Sequence, residues 1–297
     1  MVRFQGVMPP AVTIFDSQGK IDWRANFHHA DFLLEKGVDG IAYLGTTGEF
    51  GALTLEEKRD FVEQMARHVA GRAKVLAGVS DTCLKNVLEL SRCCEDAGVD
   101  GLLVLPPYFS VYPGKMLAKF YDSVAEHTSL PVILYNFPAL TGFDMTPEWV
   151  RSLALRHENI VGIKETVPDP EHVAQMLRVK DAREDFGVYA AYDDQFLRAV
   201  EMGVDGFIHA AGNFAPEAAV ALWEHRKDET AAKQDFARVL QAMDVYAQAE
   251  PLYLAVKEAV YLRVLGRRGG ERLPACALNA EQSDAVKRIL RELQYIA

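Results

Sequence analysis

The sequence of 297 residues contains only four cysteines, Cys83, Cys93, Cys94 and Cys276. No two of them have the CxxC spacing of a redox or zinc motif, and the adjacent pair Cys93 and Cys94 suits neither a zinc site nor a disulfide framework. We therefore expect reduced thiols with a structural role on helices.

Long apolar runs and an excess of basic residues are also missing. No apolar run approaches the ~18 residues of a membrane-spanning helix, and the start, MVRFQGVMPP, has no hydrophobic signal segment. Lys and Arg number 32 against 42 Asp and Glu, a formal net charge of −10, and no basic cluster stands out beyond Arg267 and Arg268. Nucleic-acid binding depends on a basic face, so we predict that the protein does not bind nucleic acid. From the missing signal segment and apolar runs, we predict a cytoplasmic protein that does not bind a membrane.

A short repeat indicates the architecture. The sequences KGVDG at 36–40, AGVDG at 97–101 and MGVDG at 202–206 each follow a helical pattern and precede an apolar run. Their first glycines suit the left-handed position at which a helix ends. The alternative is three unrelated turns, but recurrence in one context favours a repeated helix–strand unit.

Eight apolar segments follow this pattern along the chain. Most are continuous runs of Val, Ile, Leu and Ala, typical of parallel strands that are covered on both faces. Helical patterns such as 55–69 and 84–97 lie between them, and Thr54 with Glu57 has the spacing of a capping box. The predicted strands are Val12–Phe15, Gly40–Gly45, Lys74–Ser80, Gly101–Pro106, Val132–Phe137, Ile160–Thr166, Val188–Tyr192 and Gly206–Ala211.

Eight such units in about 225 residues predict an α/β fold, a (β/α)8 TIM barrel. The alternative, a doubly wound sheet, is less favoured because the dinucleotide fingerprint G-x-G-x-x-G follows none of the eight segments. We assign residues 1–226 to a barrel catalytic domain and residues 227–297 to a C-terminal helical extension that packs on the barrel.

Lys164 is the first candidate for chemistry, because catalytic residues of such barrels lie at the carboxyl ends of the strands. With two-residue alternation, Ile160, Gly162 and Lys164 share one face, and Gly162 leaves space beside the lysine. Burial disfavours an ammonium ion, and a neutral amine can form a Schiff base with a ketone. The alternative is a lysine that reaches solvent and pairs with Glu165 or Asp194. The strand pattern alone does not separate the two.

Tyr135 and the sequence LGTTGEFGAL at 44–53 favour the chemical alternative. A phenol at a similar height on the preceding strand can exchange protons with a carbinolamine or an aldol hydroxyl. In the loop, Gly45 frees the backbone, while Thr46 and Thr47 supply hydroxyls that can hold a carboxylate together with backbone N–H groups. Taken singly, these are an ordinary core tyrosine and an ordinary helix-capping turn.

Three motifs at these positions resemble those of one enzyme family. GTTGE at 45–49, YNFP at 135–138 and GIKET at 162–166 are similar to motifs of the pyruvate-dependent class I lyases of the dihydrodipicolinate synthase/N-acetylneuraminate lyase family. The similarity extends over nearly the whole chain. It implies that Lys164 forms a Schiff base with pyruvate or a 2-keto acid, without a metal or an organic cofactor.

The resemblance also implies roles for other residues. Thr46 and Thr47 would bind the carboxylate, and Thr47 would join a proton relay with Tyr135. Tyr108, in PPYF, matches a tyrosine that family members lend to a neighbouring site across a dimer interface, and we expect a homotetramer, a dimer of dimers. Further substrate contacts are expected from Gly45, Tyr192, Asp193, Ile208, His209 and Asn213.

Departures from the family's patterns bear on the substrate. Lysine-biosynthetic members carry an arginine two residues after the YNxP proline, where this chain has Leu140, which argues against dihydrodipicolinate synthesis. YNFPALTG, AYDDQ and AAGNFAPEA are most similar to 2-keto-3-deoxy sugar-acid aldolases, although Ala191 replaces a usual glycine and His209 a usually small residue. The resemblance implies reversible cleavage of such an acid to pyruvate and a small aldehyde.

Several alternatives stay open. Within the family they are dehydration of a keto-deoxy acid through the same Schiff base, and dihydrodipicolinate synthase or N-acetylneuraminate lyase activity. Outside it, a metal-dependent lyase would use Asp193, Asp194 and His209, which form an incomplete ligand set. A binding protein that has lost turnover is the last alternative.

Overall fold

Eight short parallel strands form the centre of the computed structural model, which describes residues 4–297. They pair in the order β1-β8-β7-β6-β5-β4-β3-β2. Pro10, just after β1, pairs with Ala42 of β2 and brings the two ends of the sheet together. The strands are β1 (Gly6–Val7), β2 (Gly40–Tyr43), β3 (Lys74–Gly78), β4 (Gly101–Val104), β5 (Val132–Asn136), β6 (Ile160–Glu165), β7 (Gly187–Ala190) and β8 (Gly206–Phe207).

Helices follow the strands and surround the barrel, so the predicted TIM barrel is confirmed. Thr54 and Glu57 form the predicted capping box at the start of α2. The repeat glycines Gly37, Gly98 and Gly203 have φ angles of +78°, +73° and +90°, as helix ends in the left-handed region require. The helices are α1 (Trp23–Glu35), α2 (Leu55–Val69), α3 (Leu84–Asp96), α4 (Gly114–His127), α5 (Pro138–Thr141), α6 (Pro147–Arg156), α7 (Pro170–Leu177), α8 (Phe196–Met202), α9 (Pro216–Glu224), α10 (Glu229–Met243), α11 (Tyr253–Val260) and α12 (Ala280–Glu292).

The first strand is not where the sequence predicts it. The segment Val12–Phe15 follows β1 and forms no ladder with β2 or β8. The backbone N–H of Val12 donates to Asn213 Oδ1 at 2.9 Å, and that of Ile14 donates to Asn26 Oδ1 at 3.0 Å. Its apolar residues pack against the C-terminal helices instead. The run is apolar because it is covered by these helices. The other seven strands lie where predicted, most of them shorter.

The C-terminal extension is helical, as predicted. It consists of α10, α11 and α12, with the predicted break near Gly266, whose φ is +63°. Apolar residues of these helices share one buried cluster with Val12 and Phe214, which lie next to the barrel strands. The domain boundary at residue 226 stays a prediction. Within residues 4–297, no helix is both long and apolar enough to cross a membrane.

Candidate active site

Lys164 of β6 and Tyr135 of β5 are register partners at the carboxyl end of the barrel. Both are buried, and Lys164 is 4% exposed. The amine nitrogen Nζ lies 4.1 Å from the centre of the Tyr135 ring. The two side chains therefore meet inside the barrel, as the sequence pattern predicts.

A bulge in β6 changes the predicted alternation. The register between β5 and β6 shifts at Val161, which has no partner, so Ile160 faces the helices while Val161 faces the barrel. Ile160 therefore does not share a face with Lys164, and that prediction is wrong. The space predicted beside Gly162 is also filled. A Cβ atom at Gly162 would lie 3.0 Å from Cε2 of Tyr189.

Lys164 has neither of the two acidic partners that the sequence suggested. The Glu165 carboxylate instead lies 3.3 Å from Asn136 Nδ2, and Asp194 is exposed. Within residues 4–297, no acidic oxygen lies within 4.0 Å of Lys164 Nζ. A solvent-exposed, ion-paired lysine is therefore not the arrangement in this structure.

The loop after β2 places hydroxyls beside this pair. Thr46 Oγ1 lies 3.2 Å from the Tyr135 hydroxyl, within hydrogen-bond distance. Thr47 lines the same cavity, and its part in a relay with Tyr135 stays a prediction. A hydrogen bond from the segment after β1 stabilises the loop, since Thr13 Oγ1 donates to the Gly48 carbonyl at 2.6 Å. A Cβ atom at Gly48 would lie 2.9 Å from the Ala11 carbonyl oxygen, which explains why a glycine is needed there.

A cavity of about 1110 Å³ opens over these residues. No arginine lines it, and Lys164 is the one lysine among the described residues that do. Asp194 and Glu250 also line it. The predicted site residues that line it are Thr46, Thr47, Tyr135, Lys164, Tyr192, Asp193, Ile208 and His209.

Asp193 and His209 form one hydrogen-bonded group with Tyr246. His209 Nδ1 lies 2.7 Å from Asp193 Oδ1, and the Tyr246 hydroxyl donates to Asp193 Oδ2 at 3.0 Å. Burial, and then the charge of Asp193, raises the pKa of Tyr246 well above its ordinary value, so that this hydroxyl keeps its proton. Within residues 4–297, no three His, Cys, Asp or Glu side chains are arranged to hold a metal ion.

Three predicted residues do not line the cavity. The Asn213 amide is occupied by backbone, since Nδ2 donates to the carbonyls of Pro10 and Ala210, both at 2.9 Å. Gly45 shapes the turn without reaching the cavity. Tyr108 is half-buried after β4 against Phe50, with ring centres 5.8 Å apart. Its role in a neighbouring subunit stays a prediction.

No sequence motif predicted the residues that form the outer wall of the cavity. Residues 246–253, Met243 and Gln282 line it, and all belong to the C-terminal extension. Tyr246 is one of four tyrosines in this extension, and no local motif links it to the barrel. These residues reach the site through tertiary packing.

One family model and two proteins of Escherichia coli are similar to this chain over most of its length. The model of the dihydrodipicolinate synthetase family matches residues 3–293. Escherichia coli K12 YjhH, provisionally named a 2-dehydro-3-deoxy-D-pentonate aldolase, is 39% identical over 261 residues, 86% of each chain. YagE of the same organism, provisionally named a 2-dehydro-3-deoxy-D-gluconate aldolase, is 36% identical over 296 residues, 98% of this chain and 97% of YagE.

Solved and functionally named relatives extend the comparison. The crystal structure of YagE in complex with pyruvate superimposes with a TM-score of 0.95 at 35% identity, covering 99% of this chain and 100% of YagE. A 4-hydroxy-tetrahydrodipicolinate synthase of Methanocaldococcus jannaschii is 32% identical over 303 residues, 99% of this chain and 100% of that protein. The names of these relatives thus cover more than one reaction.

Proposed function

Since the chain belongs to the dihydrodipicolinate synthetase family and is a lyase, we propose that it reversibly cleaves an unphosphorylated 2-keto-3-deoxy sugar acid to pyruvate and an uncharged aldehyde. Aldolases of this family bind pyruvate as a Schiff base on a lysine and need no external cofactor. The observation that carries the proposal is the buried amine of Lys164 beside Tyr135, in a cavity whose described lining has no arginine and no second lysine. Within residues 4–297, no acidic oxygen lies within 4.0 Å of this amine.

Lys164 acts as the nucleophile in this proposal. Its neutral amine attacks C2 of the keto acid, and loss of water from the carbinolamine leaves an iminium ion. The iminium takes up the electron pair of the C3–C4 bond as that bond breaks. The resulting enamine is protonated at C3, and water then releases pyruvate and restores the amine.

Tyr135 carries the proton that must leave the C4 hydroxyl as the aldehyde forms. The hydroxyl of Thr46, 3.2 Å from the phenol, is the next group on a path for that proton. We keep Thr47 as a further member of the relay. Tyr108 would have to come from a second subunit, because it does not line the cavity of its own chain. A homotetramer, which would supply it, belongs to the same proposal.

The two halves of the substrate would bind to different parts of the cavity. The hydroxyls of Thr46 and Thr47, with nearby backbone N–H groups, suit the carboxylate at C1. Tyr192 and Asp193, in the wall of the same cavity, suit hydroxyl groups of the aldehyde half. Asp193 keeps acceptor capacity for this, because a carboxylate can accept more than the two hydrogen bonds it receives from His209 and Tyr246.

Charge in the cavity favours an aldehyde half without an anionic group. A phosphate or a second carboxylate there would face Asp193, Asp194 and Glu250. Among residues 4–297, the lining has no arginine, its one lysine is Lys164, and its histidine, His209, already contacts Asp193 at 2.7 Å. Like charges brought together in this way cost several kcal/mol. Leu140 also lines this region, where lysine-biosynthetic members of the family are expected to carry an arginine. These observations argue against a dihydrodipicolinate synthase.

Trapping with borohydride tests the lysine chemistry. Incubation with pyruvate and borohydride should add the mass of one reduced pyruvyl group, and peptide mapping should place it on Lys164. The matched control is Lys180→Arg, a lysine that is ion-paired with Asp205 at 2.8 Å and should leave the adduct unchanged. An adduct on another residue, or none, would contradict the proposal.

Substrate assays test the charge argument. Pyruvate release should be fastest from 2-keto-3-deoxy-gluconate or a 2-keto-3-deoxy-pentonate, and at least about a hundredfold slower from a phosphorylated analogue, since a factor of 100 corresponds to only about 2.7 kcal/mol. Faster cleavage of the phosphorylated acid would refute this assignment. Loss of water without pyruvate release would identify the dehydratase alternative, which begins from the same iminium.

A further inference from the structure

The residues that follow Tyr135 and Lys164 on their strands are in contact with each other. Asn136 and Glu165 are register partners at the ends of β5 and β6, and both are fully buried. Asn136 Nδ2 lies 3.3 Å from each oxygen of the Glu165 carboxylate. Because successive residues of a strand point to opposite faces, this contact joins the two strands behind the residues that face the cavity.

Two further side chains complete the group. His172 of α7 lies with Nδ1 2.9 Å from Glu165 Oε2 and with Nε2 3.2 Å from Asp144 Oδ1. Asn136 Nδ2 also donates to Asp144 Oδ1 at 3.1 Å. We call Asn136, Asp144, Glu165 and His172 the outer cluster. Its contacts close a ring that connects β5, β6, α7 and the loop before α6.

Charge holds this ring together. His172 Nδ1 is not aligned for a hydrogen bond, so its contact with Glu165 is an ion pair when His172 is protonated. The Glu165 carboxylate raises the pKa of His172, and Asp144 and Asp169 raise it further, while burial acts in the opposite direction. Burial raises the pKa of Glu165, and the contact with His172 counteracts this.

The direction of the pH effect follows from these shifts. The pKa of His172 is higher in the folded protein than the ordinary value of 6.5. Its stabilising contact is complete below that ordinary value and is lost as the pH rises through the folded pKa. The charged groups that face His172 are Glu165, Asp144 and Asp169. The ring is therefore weakest at alkaline pH.

We propose that the outer cluster positions Lys164 against Tyr135, with Glu165 and His172 as positioning residues, and that the rate of the chemical step depends on the charge of His172. This inference rests on the proposed function of Lys164. Each member of the reacting pair is bonded through the backbone to one member of the cluster, so a shift at Asn136 or Glu165 moves the pair. A displacement of about 1 Å between reacting groups can cost about a hundredfold in rate.

Variants of the cluster test this inference through kcat, KM and the pH profile of pyruvate release. Glu165→Gln and His172→Gln should lower kcat about ten- to a hundredfold, because they disturb alignment. KM should change less than kcat, since the carboxylate-binding loop is untouched. In the unaltered protein kcat should fall as His172 loses its proton, and His172→Gln should remove that alkaline limb.

A matched control lies at the other end of the same strand. His157 pairs with Asp122 at 2.7 Å just before β6 and is about as buried as His172. His157→Gln should leave kcat and the pH profile unchanged while lowering the thermal midpoint about as much as His172→Gln. This comparison separates positioning from general stability.

The outcomes distinguish the two proposals. If the unaltered protein forms no borohydride-trapped adduct with pyruvate, the proposed function fails. If the adduct forms but His172→Gln keeps kcat and the alkaline limb of the unaltered protein, the outer cluster has no positioning role. Should Glu165→Gln not fold, Asp144→Asn decides, because Asp144 lies at the exposed edge of the ring. It should lower kcat about fivefold, the factor to which about 1 kcal/mol corresponds.

Discussion

Two buried lysines near the 45–49 loop have opposite surroundings. Lys257 of α11 is 0% exposed, and its Nζ lies 2.6 Å from Glu49 Oε1 and 2.7 Å from Glu271 Oε2. Lys164 is nearly as buried, yet within residues 4–297 no acidic oxygen lies within 4.0 Å of its Nζ. Buried charges are ordinarily paired, because desolvation of an unpaired charge is costly. The comparison separates a lysine with a structural role from one that is available for reaction.

The two lysines are connected through the loop. Glu49, which binds Lys257, belongs to the same turn as Thr46, whose hydroxyl lies beside Tyr135 and thus near Lys164. Glu49 adopts a left-handed backbone conformation with φ of +53°. The ion pair with Lys257 offsets the cost of that conformation and of burying the carboxylate. The C-terminal extension thereby helps to shape the active-site loop.

Replacing Lys164 should have the largest effect on activity. We expect Lys164→Met to abolish the trapped pyruvyl adduct and to lower kcat by at least about 10⁴-fold, because no other group replaces the nucleophile. The free energy of unfolding should not fall, since the amine has no ion pair to lose within the described part of the chain, residues 4–297. Urea unfolding and pyruvate release measure both. Lys257→Met, the matched variant, should still form the adduct, and an adduct on Lys164→Met would overturn the comparison.

Two tyrosines, Tyr135 beside Lys164 and Tyr261 beside Glu271, provide the next contrast. Tyr135→Phe should lower kcat about 10²–10⁴-fold through loss of proton transfer, although the adduct with pyruvate still forms. Tyr261→Phe is the control, because its hydroxyl donates to the Gly270 carbonyl at 3.1 Å and lies 3.3 Å from Glu271, a partner of Lys257. That variant should retain kcat and lose only stability. Equal losses of kcat in the two variants would contradict the assignment of Tyr135.

Removing the paired lysine should affect stability most. Lys257→Met leaves the buried carboxylate of Glu49 and the partly buried one of Glu271 without their cation, so we expect the free energy of unfolding to fall by about 3–5 kcal/mol. Urea unfolding of the variant and of the unaltered protein measures this difference. Adding Glu49→Gln to the variant should recover part of the loss, because one uncompensated charge is removed. If Lys257→Met alone is as stable as the unaltered protein, the ion pairs of Lys257 contribute nothing to the free energy of unfolding.

The pH dependence of the Lys257→Met variant should show the smallest effect. Burial raises the pKa of Glu49 above 4.5, while Lys257 acts to lower it. A carboxyl whose pKa is higher in the folded state loses stabilisation as the pH rises from its unfolded pKa through its folded pKa. Without Lys257, the pKa of Glu49 in the folded state should be higher still, and the pH range over which Glu49 affects stability should reach to higher pH. Acidification from neutral pH should therefore stabilise the variant by about 1 kcal/mol relative to the unaltered protein. Urea unfolding across this pH range measures the free energy of unfolding. A variant that loses stability on acidification relative to the unaltered protein would contradict the prediction.

Patterns local to the sequence were enough for the architecture and for the reacting pair of the proposal. The repeated GVDG sequence and the apolar runs predicted seven of the eight strands, because helix ends and parallel strands depend on residues close together in the chain. The alternation on neighbouring strands brought Tyr135 and Lys164 to one height. The sequence errors arose where packing overrides the pattern. Val12–Phe15 is apolar because the C-terminal helices cover it and not because it is a strand. The bulge at Val161 turns Ile160 away from the barrel interior and toward the surrounding helices.

Contacts between distant parts of the chain had no signal in the sequence. Lys257 and Glu49 are 208 residues apart, and the outer wall of the cavity comes from residues 246–253. The composition fixes how many charged groups must be accommodated, but their partners depend on which surfaces meet when helices pack on the barrel. Sequence therefore led to a barrel with a reactive lysine. Folding then brought two carboxylates into contact with Lys257 and, among residues 4–297, left none within 4.0 Å of Lys164 Nζ, because partners follow from distances in space and not from spacing along the chain.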